Sequence, residues 1–378
     1  MYKKYEYVVI GGGIAGICTA YFLCKHSNSV LLVEEDKAVL NQASKAAGGF
    51  LSPLLGKDNT FKSLVNNALK FSVDFYKNIL KDDFENKGVY RLAKNEEDRL
   101  KFDSYKPFMD FDYKEYEDGF FFDIGSKVSA KDVANALCND FEIALEYKVK
   151  NIKQNKDEKW IINNEIEASK VILTTGYKTD LIDESYFQIR AVWGQRIDIL
   201  TSMQNSINYH KECSVSSSKK YNNKNLICIG ATHHRLDNYT NLEAKEFLKQ
   251  TQKQNTEKLL SLAEDIIKLD DIEVVNTKIG ARACSVDYFP IVGELIDSKK
   301  TIEKYPHLVN GSFVTDDKLI KKKGIYVLNG IGGRGFVLSP YLANCLVDYL
   351  VNNKPIQYEV LANRLFKRWV KKIKLNNC

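Results

Sequence analysis

Proline is scarce in this chain, with six in 378 residues, and methionine and tryptophan are rarer still at three each. Few breakers interrupt the regular elements, and there is no internal repeat or low-complexity block. The eight cysteines (Cys18, Cys24, Cys138, Cys213, Cys228, Cys284, Cys345, Cys378) include no C-x-x-C pair. That absence argues against metal clusters and disulfide scaffolds, so no metal is expected and a reducing compartment is the default. Long apolar runs are missing too, with one exception: residues 7–24 are eighteen residues without a charge. Such a length approaches a membrane span or a signal-peptide core. Gly11, Gly12, Gly13 and Gly16 weaken a span, no conventional cleavage site follows, and a strand–turn–helix explains the residues better. No membrane association is expected, and the predicted location is cytoplasmic.

What is present is ordinary for a globular protein: 44% hydrophobic and 28% charged residues. Collagen-like, disordered and multi-span classes are excluded. The charge is unevenly placed. No acidic residue follows Glu359, while Arg364, Lys367, Arg368, Lys371, Lys372 and Lys374 match the whole formal excess of +6. A uniformly basic coat for nucleic acid is excluded, and a local basic tail needs a reason.

Residues 5–10 (YEYVVI) read as a buried strand, residues 14–25 as a helix, and residues 29–33 as a second strand ending in Glu34 and Glu35. This is a βαβ unit. Helical spacing covers 60–81 and 129–138, the latter capped by Ser129. Strands are predicted at 88–92, 119–124, 141–151, 159–166 and 170–174. Residues 189–293 mix strands (192–200, 226–231, 273–279) with one long polar helix at 242–267. A last buried strand, 325–329, leads through a glycine cluster to a helix at 339–351. The fold class is α/β, with a Rossmann-type nucleotide-binding domain interleaved with an α+β substrate domain carrying a mostly antiparallel sheet. The expected division gives 1–82, 126–185 and 324–360 to the first domain, and 83–125 and 186–323 to the second. Residues 361–378 form a basic helix.

Gly11-Gly12-Gly13-Ile14-Ala15-Gly16 satisfies G-x-G-x-x-G directly after the first strand. The first glycine permits the turn, Gly13 admits a pyrophosphate to the backbone, and Gly16 allows close helix–strand packing. Glu34, at the end of the second strand, suits a ribose hydroxyl pair and disfavours a 2′-phosphate; Glu35 is the neighbouring alternative. The loop alone does not choose between NAD and FAD.

Four further segments resemble the D-amino-acid oxidase superfamily of FAD-dependent oxidoreductases. They are Ala43-Ser44-Lys45-Ala46-Ala47-Gly48-Gly49, Val171-Ile172-Leu173-Thr174-Thr175-Gly176, Gly280-Ala281-Arg282 with Asp287-Tyr288-Phe289-Pro290-Ile291-Val292-Gly293, and Gly330-Ile331-Gly332-Gly333-Arg334-Gly335-Phe336. Residues 48–55 (GGFLSPLL), Trp193-Gly194-Gln195, residues 228–235 (CIGATHHR) and Asn363-Arg364-Leu365-Phe366 narrow the resemblance. They are similar to the FAD-dependent oxidoreductase domain of the bifunctional tRNA-modifying MnmC family. Lys45 stands where that family usually has glycine, and the tail lacks the proline often found before Asn-Arg.

The resemblance implies FAD contacts at Gly11, Gly13, Ile14, Ala15, Gly16, Glu34 or Glu35, Ser44, Ala47, Gly48, Val149, Thr175, Gly176, Gly332, Gly333, Arg334, Gly335 and Phe336. It also implies the reaction: oxidation of 5-carboxymethylaminomethyl-(2-thio)uridine at tRNA wobble position 34, releasing glyoxylate and leaving an aminomethyl group. The chain's length leaves no room for the family's fused methyltransferase, so a separate SAM-dependent methyltransferase is an expected partner beside tRNA.

An N-substituted glycine needs a carboxylate anchor, and Arg282 is the first candidate because guanidinium offers a bidentate fork. Its bland alternative is a structural pair with an acid such as Asp287. Arg334 could serve flavin, substrate or surface solvation, and Gln195 could bond near the flavin or finish a strand. Ser44 could bond a phosphate or cap a turn. His233 and His234, adjacent on a strand, point to opposite faces and do not share a metal; packing with one polar contact suits them. In the tail, Arg364, Lys367, Lys371 and Lys374 recur at helical steps opposite Phe366, Trp369, Val370 and Ile373. This fits a packed terminal helix or a phosphate-binding surface equally. Two other functions use the same residues: a small-molecule glycine, sarcosine or D-amino-acid oxidase, and a non-catalytic FAD- or tRNA-binding protein.

Overall fold

The computed structural model describes residues 2–376, with side chains described through Ile373. The side chain of Lys374 and the whole of Cys378 lie outside the described residues.

Two sheets organise the chain. In the first, Lys3–Ile10 lies between Val30–Val33 and Ile166–Leu173, parallel to both. Lys321–Asn329 extends the parallel set beyond Ile166–Leu173, and Glu142–Ala144 extends it beyond Val30–Val33. Strands covered on both faces need apolar residues in unbroken runs, which is what Val30–Val33 supplies, with all four residues buried. Helices Ile14–Cys24, Thr60–Leu80 and Gly335–Asn352 cover one face. Their core includes Ile17, Leu23, Leu69, Tyr76, Leu342 and Leu346.

The second sheet is built on Ile189–Thr201 and Glu273–Ser285, which pair antiparallel along nearly their whole length. Lys224–Gly230 flanks Ile189–Thr201 on its other side. Val89–Leu92, Gly119–Phe122 and Lys114–Tyr116 continue the sheet. Pairing is antiparallel except where Asn208–His210 runs parallel to Val89–Leu92. The fold is α/β, with a Rossmann-type sheet beside a mostly antiparallel one.

Several elements depart from the sequence expectation. Ile291–Ile296, placed with the substrate domain, is instead the antiparallel edge of the first sheet beside Lys321–Asn329. The strand expected at 141–151 stops at Ala144, and the rest is irregular chain leading to Val149. The run 159–166 folds as a hairpin, because Asn163 and Asn164 take positive φ (49° and 58°) between Trp160–Ile162 and Ile166–Leu173. Asparagine tolerates that region better than most residues. The polar helix at 242–267 is two helices, Asn241–Gln250 and Gln252–Glu264. They meet at Thr251, which leaves helical geometry (φ −92°, ψ 7°) and donates its hydroxyl to the Phe247 carbonyl at 2.9 Å.

The tail forms helix Asn363–Asn376. Leu365, Phe366 and Val370 are buried in a core shared with the first sheet, so packing is realised. Two of its cations are paired internally: Arg364 bridges both oxygens of Asp287 (2.8 and 3.1 Å), and Lys367 meets Asp316 at 2.6 Å. Arg368, Lys371 and Lys372 remain exposed.

Pro340 sits inside helix Gly335–Asn352 and has no N–H for the carbonyl of Phe336 four residues back. The buried Tyr76 hydroxyl donates to that carbonyl at 3.0 Å, and Ser72 Oγ donates to the neighbouring Val337 carbonyl at 2.6 Å. The Tyr76 hydroxyl thus replaces the bond that the proline cannot make, and Ser72 adds a second contact one residue on. Tyr76→Phe leaves the Phe336 carbonyl buried and unpaired, so it should cost about 1–3 kcal/mol. Urea unfolding would show this as a lower midpoint at unchanged slope; an unchanged midpoint would contradict the role given to the hydroxyl.

Candidate active site

Ile10, Val33, Thr174 and Asn329 stand at the carboxyl ends of four parallel strands and line one cavity of about 460 Å³. Open parallel sheets bind ligands at this edge. Its floor is the glycine loop. Gly11 has φ +108°, and a Cβ there would stand 2.6 Å from the Thr174 carbonyl. A Cβ on Gly16 would come within 1.9 Å of the Gly11 carbonyl, so loop and helix touch backbone to backbone. A Cβ on Gly13 would meet only Ser44 Oγ, at 3.8 Å. Gly13 is the N-cap of helix Ile14–Cys24 and brings no capping side chain. The amides of Ala15 and Gly16 lie in the first turn, where the helix itself offers no acceptor. This uncluttered, amide-rich cradle fits a dinucleotide pyrophosphate.

Glu34 faces the loop, accepting from the amide of Gly12 and, at 2.9 Å, from that of Asp36. Burial raises its carboxyl above the usual range although both amides pull the other way. Glu35 also lines the cavity but is tied to Lys178. Ser44 Oγ accepts from the Ile14 amide at 3.1 Å, so it serves the helix start as well as the cavity wall. Ala47, Val149, Thr175 and Gly176 line the same space, as do Gly332, Gly333, Gly335 and Phe336. Asn329 ties two of these segments together by donating to the Gly176 carbonyl at 2.9 Å. Gly16 and Gly48 lie just behind the wall. Gly48 packs so closely that a Cβ would stand 2.5 Å from the Phe50 ring.

The second sheet closes the cavity from above. Gly280 crosses the short helix Ala43–Ala46, leaving 2.8 Å between a hypothetical Cβ and Ala46 Cβ. Two residues on, and therefore on the same face, Arg282 enters the lining. Its Nη1 donates to the Thr232 carbonyl at 3.2 Å. A Cβ on Gly194 would stand 2.6 Å from that nitrogen, so the glycine of Trp-Gly-Gln clears room for the guanidinium. Asp287 does not pair with Arg282; it is held by Arg364.

Two expected roles change. Gln195 is turned away from the cavity: its Nε2 donates to Thr256 Oγ1 (2.8 Å) and the Gln252 carbonyl (3.1 Å). Neighbours on a strand face opposite ways, so it is Gly194 that meets the cavity. Arg334 does not line the cavity with its glycine neighbours; its Nη1 donates to the Ser52 carbonyl at 3.1 Å. His234 Nε2 lies 3.1 Å from Asn255 Oδ1, a packing contact, and burial beside Arg282 lowers His233 to about 4.

Sequence reasoning missed Arg91 and His210. Arg91 Nη1 bonds Ser52 Oγ (3.1 Å) and the Pro53 carbonyl (2.8 Å), next to Arg334. Burial and the charge of Arg334 lower it to about 9, burial lowers Arg334 to about 10, and burial lowers Arg282. Among the described residues the arginine–carboxylate pairs belong to Arg99, Arg196 and Arg364. Arg91, Arg282 and Arg334 stand at or beside the cavity with no acid partner. A site of this kind attracts anions, and its glycine-loop floor has the shape for a dinucleotide.

The glycines separate fold from ligand. Gly16→Ala should disrupt packing, costing about 1–3 kcal/mol or more. Gly13→Ala, at φ −71° with open space above it, should leave the melting temperature of cofactor-free protein unchanged while weakening FAD at least about tenfold. Equal FAD affinity in Gly13→Ala would contradict the cradle.

A family model described as FAD dependent oxidoreductase matches residues 6–349. The tRNA 5-methylaminomethyl-2-thiouridine biosynthesis bifunctional protein MnmC of Campylobacter fetus is 23% identical over 96% of this chain, which spans 59% of that protein. The protein of the same name from Legionella pneumophila is 26% identical over 95% of this chain and 56% of its own length. Among solved structures, glycine oxidase from Bacillus cereus superposes with TM-score 0.69 at 18% identity, covering 93% of this chain and 96% of its own. L-proline dehydrogenase from P. horikoshii gives 0.66 at 15% identity, covering 100% and 99%. These structures share the fold, and the family match runs from the first strand through the last long helix: the chain belongs to the FAD dependent oxidoreductase family.

Proposed function

We propose that this protein oxidises the carboxymethylaminomethyl group of 5-carboxymethylaminomethyl-(2-thio)uridine at the tRNA wobble position, leaving an aminomethyl group and releasing glyoxylate. The observation that carries the reading is the set of guanidinium groups without acid partners beside the cofactor cavity. It suits a small amine bearing a carboxylate, and the MnmC relatives name the nucleoside chemistry. FAD supplies the two-electron oxidation of the amine's C–N bond, and water completes the release of glyoxylate.

The glycine loop, Glu34 and the segments at Thr175 and Gly332 would hold FAD. Arg282, on the opposite wall, attracts the carboxylate and so orients the adjoining methylene. Its neighbour His233 is uncharged near neutral pH, because burial and the arginine's charge disfavour the imidazolium. A neutral surrounding of this kind does not compete for the carboxylate. The methylene–amine bond is then the only part of the substrate that must lie against the cofactor.

For the RNA, the exposed Arg368, Lys371 and Lys372 offer phosphate contacts. They are fewer than the tail's composition suggests, since Arg364 and Lys367 are spent on internal pairs. The enzyme would work in the cytoplasm, and a separate SAM-dependent methyltransferase would take up the aminomethyl product.

Anaerobic mixing of the FAD-loaded protein with tRNA carrying the carboxymethylaminomethyl group should bleach the oxidised flavin band and yield one glyoxylate per flavin. A spectrum that stays oxidised with that tRNA, yet bleaches with free glycine or sarcosine, would replace this reading with a small-molecule oxidase.

A further inference from the structure

Arg91 has no role in the glycine loop or in any motif of the cofactor cavity, yet its position is closely determined. It lies on strand Val89–Leu92, held between Asn208–His210 and Gly119–Phe122. Its Nη1 makes both protein hydrogen bonds, to Ser52 Oγ and the Pro53 carbonyl. Its Nε is buried without a partner, and Nη2 has none among the described residues. Nε–H and Nη2–H together form the lateral edge of a guanidinium, the edge that meets the two oxygens of a carboxylate in parallel. The free donors of Arg91 are thus the pair suited to that contact.

Ser52 also accepts from Arg334 through its carbonyl, so one residue brackets two guanidinium groups side by side. Like charges this close repel, and burial removes the water that would screen them. The surroundings add no relief. His210 faces Arg91 across the parallel register and bonds Ser214 Oγ at 2.8 Å. Burial and both arginines hold His210 neutral, with Lys94 and His233 adding to the positive field. The acid whose charge favours the Arg91 cation is Asp98, and its carboxylate already accepts from the Lys94 amide at 3.1 Å. An incoming anion would supply the missing charge and the missing acceptors together.

We propose that Arg91 and Arg334 form an oxyanion subsite beside the cavity, and that it takes the carboxylate of the amine substrate through the Nε–Nη2 edge of Arg91. Gly333 and Gly335, which flank Arg334, line the cavity, so the chain brings Arg334 to the cavity's edge, where its guanidinium meets the Ser52 carbonyl. Arg91 is then a specificity residue: it selects amines that carry a carboxylate, while Arg282 supplies attraction from the cavity wall. The identity of the ligand rests on the amine-oxidation reading but not on tRNA being the carrier.

Binding without turnover tests this. The FAD-loaded protein is titrated with acetate and with glycolate, read by the shift of the flavin absorption band and by calorimetry, with inorganic phosphate in parallel. The parent protein should bind the carboxylates in preference to phosphate. Arg91→Met should weaken them roughly 10- to 100-fold at unchanged FAD content. Arg91→Lys, which keeps the charge but not the fork, should also bind several-fold more weakly and decides the matter if Arg91→Met does not retain FAD. Carboxylate affinity unchanged in the lysine or methionine variant, no carboxylate binding by the parent, or Arg91-dependent binding of phosphate alone would each overturn the subsite. Failure to oxidise any amine would count against the proposed reaction and leave these binding results readable on their own.

Discussion

The cavity depends on one backbone contact, where Gly11, Gly16 and Thr174 meet. A Cβ on Gly16 would stand 1.9 Å from the Gly11 carbonyl, and one on Gly11 would stand 2.6 Å from the Thr174 carbonyl, both too close for any side chain. The Thr174 hydroxyl seals the junction, its single proton shared between the carbonyls of Ile10 (3.0 Å) and Gly11 (2.8 Å). Three segments far apart in sequence are thereby fixed at one point: the first strand, the helix that follows it, and the strand returning after residue 165. With that point fixed, the ends of the parallel strands form an open edge, and Glu34 and Asn329 can fasten the neighbouring loops.

Above that floor the controlling fact is electrostatic. Among the described residues Arg99, Arg196 and Arg364 pair with acids, whereas the guanidinium groups of Arg91, Arg282 and Arg334 are buried at or beside the cavity without one. Buried cations without partners are costly, and proteins keep them where a ligand will complete the pair. The histidines of the region do not add charge, because burial and the arginines hold them neutral. Geometry follows the same priority. Gly194 and Gly280 sit opposite each other in the long antiparallel pair, and their missing side chains let Arg282 and the short helix Ala43–Ala46 come together.

Much of the floor was legible in the sequence, because its determinants are local. Glycine spacing, an apolar strand and a terminal acid constrain one another within about thirty-five residues, and the structure places these residues around one cavity. The upper wall was less legible. Gln195 could be read as bonding near the flavin or as finishing a strand; alternation turns it away once Gly194 faces in, and the register was not readable from the motif. Arg91 carried no signal, since its meaning arises only when Ser52 and Arg334 arrive from distant segments. Ile291–Ile296 read as a strand of the second unit because it follows that unit in sequence; pairing with Lys321–Asn329 assigns it to the first. The basic tail was visible as a run of charge, whereas the acids that neutralise part of it, Asp287 and Asp316, lie far upstream.

The proposed reaction removes a carboxymethyl group from a tRNA amine. Mass spectrometry of wobble nucleosides from cells lacking the protein tests this most directly. In those cells 5-carboxymethylaminomethyl-(2-thio)uridine should accumulate at the expense of aminomethyl and methylaminomethyl forms, with reversal when the gene is restored. An unchanged nucleoside profile would contradict it.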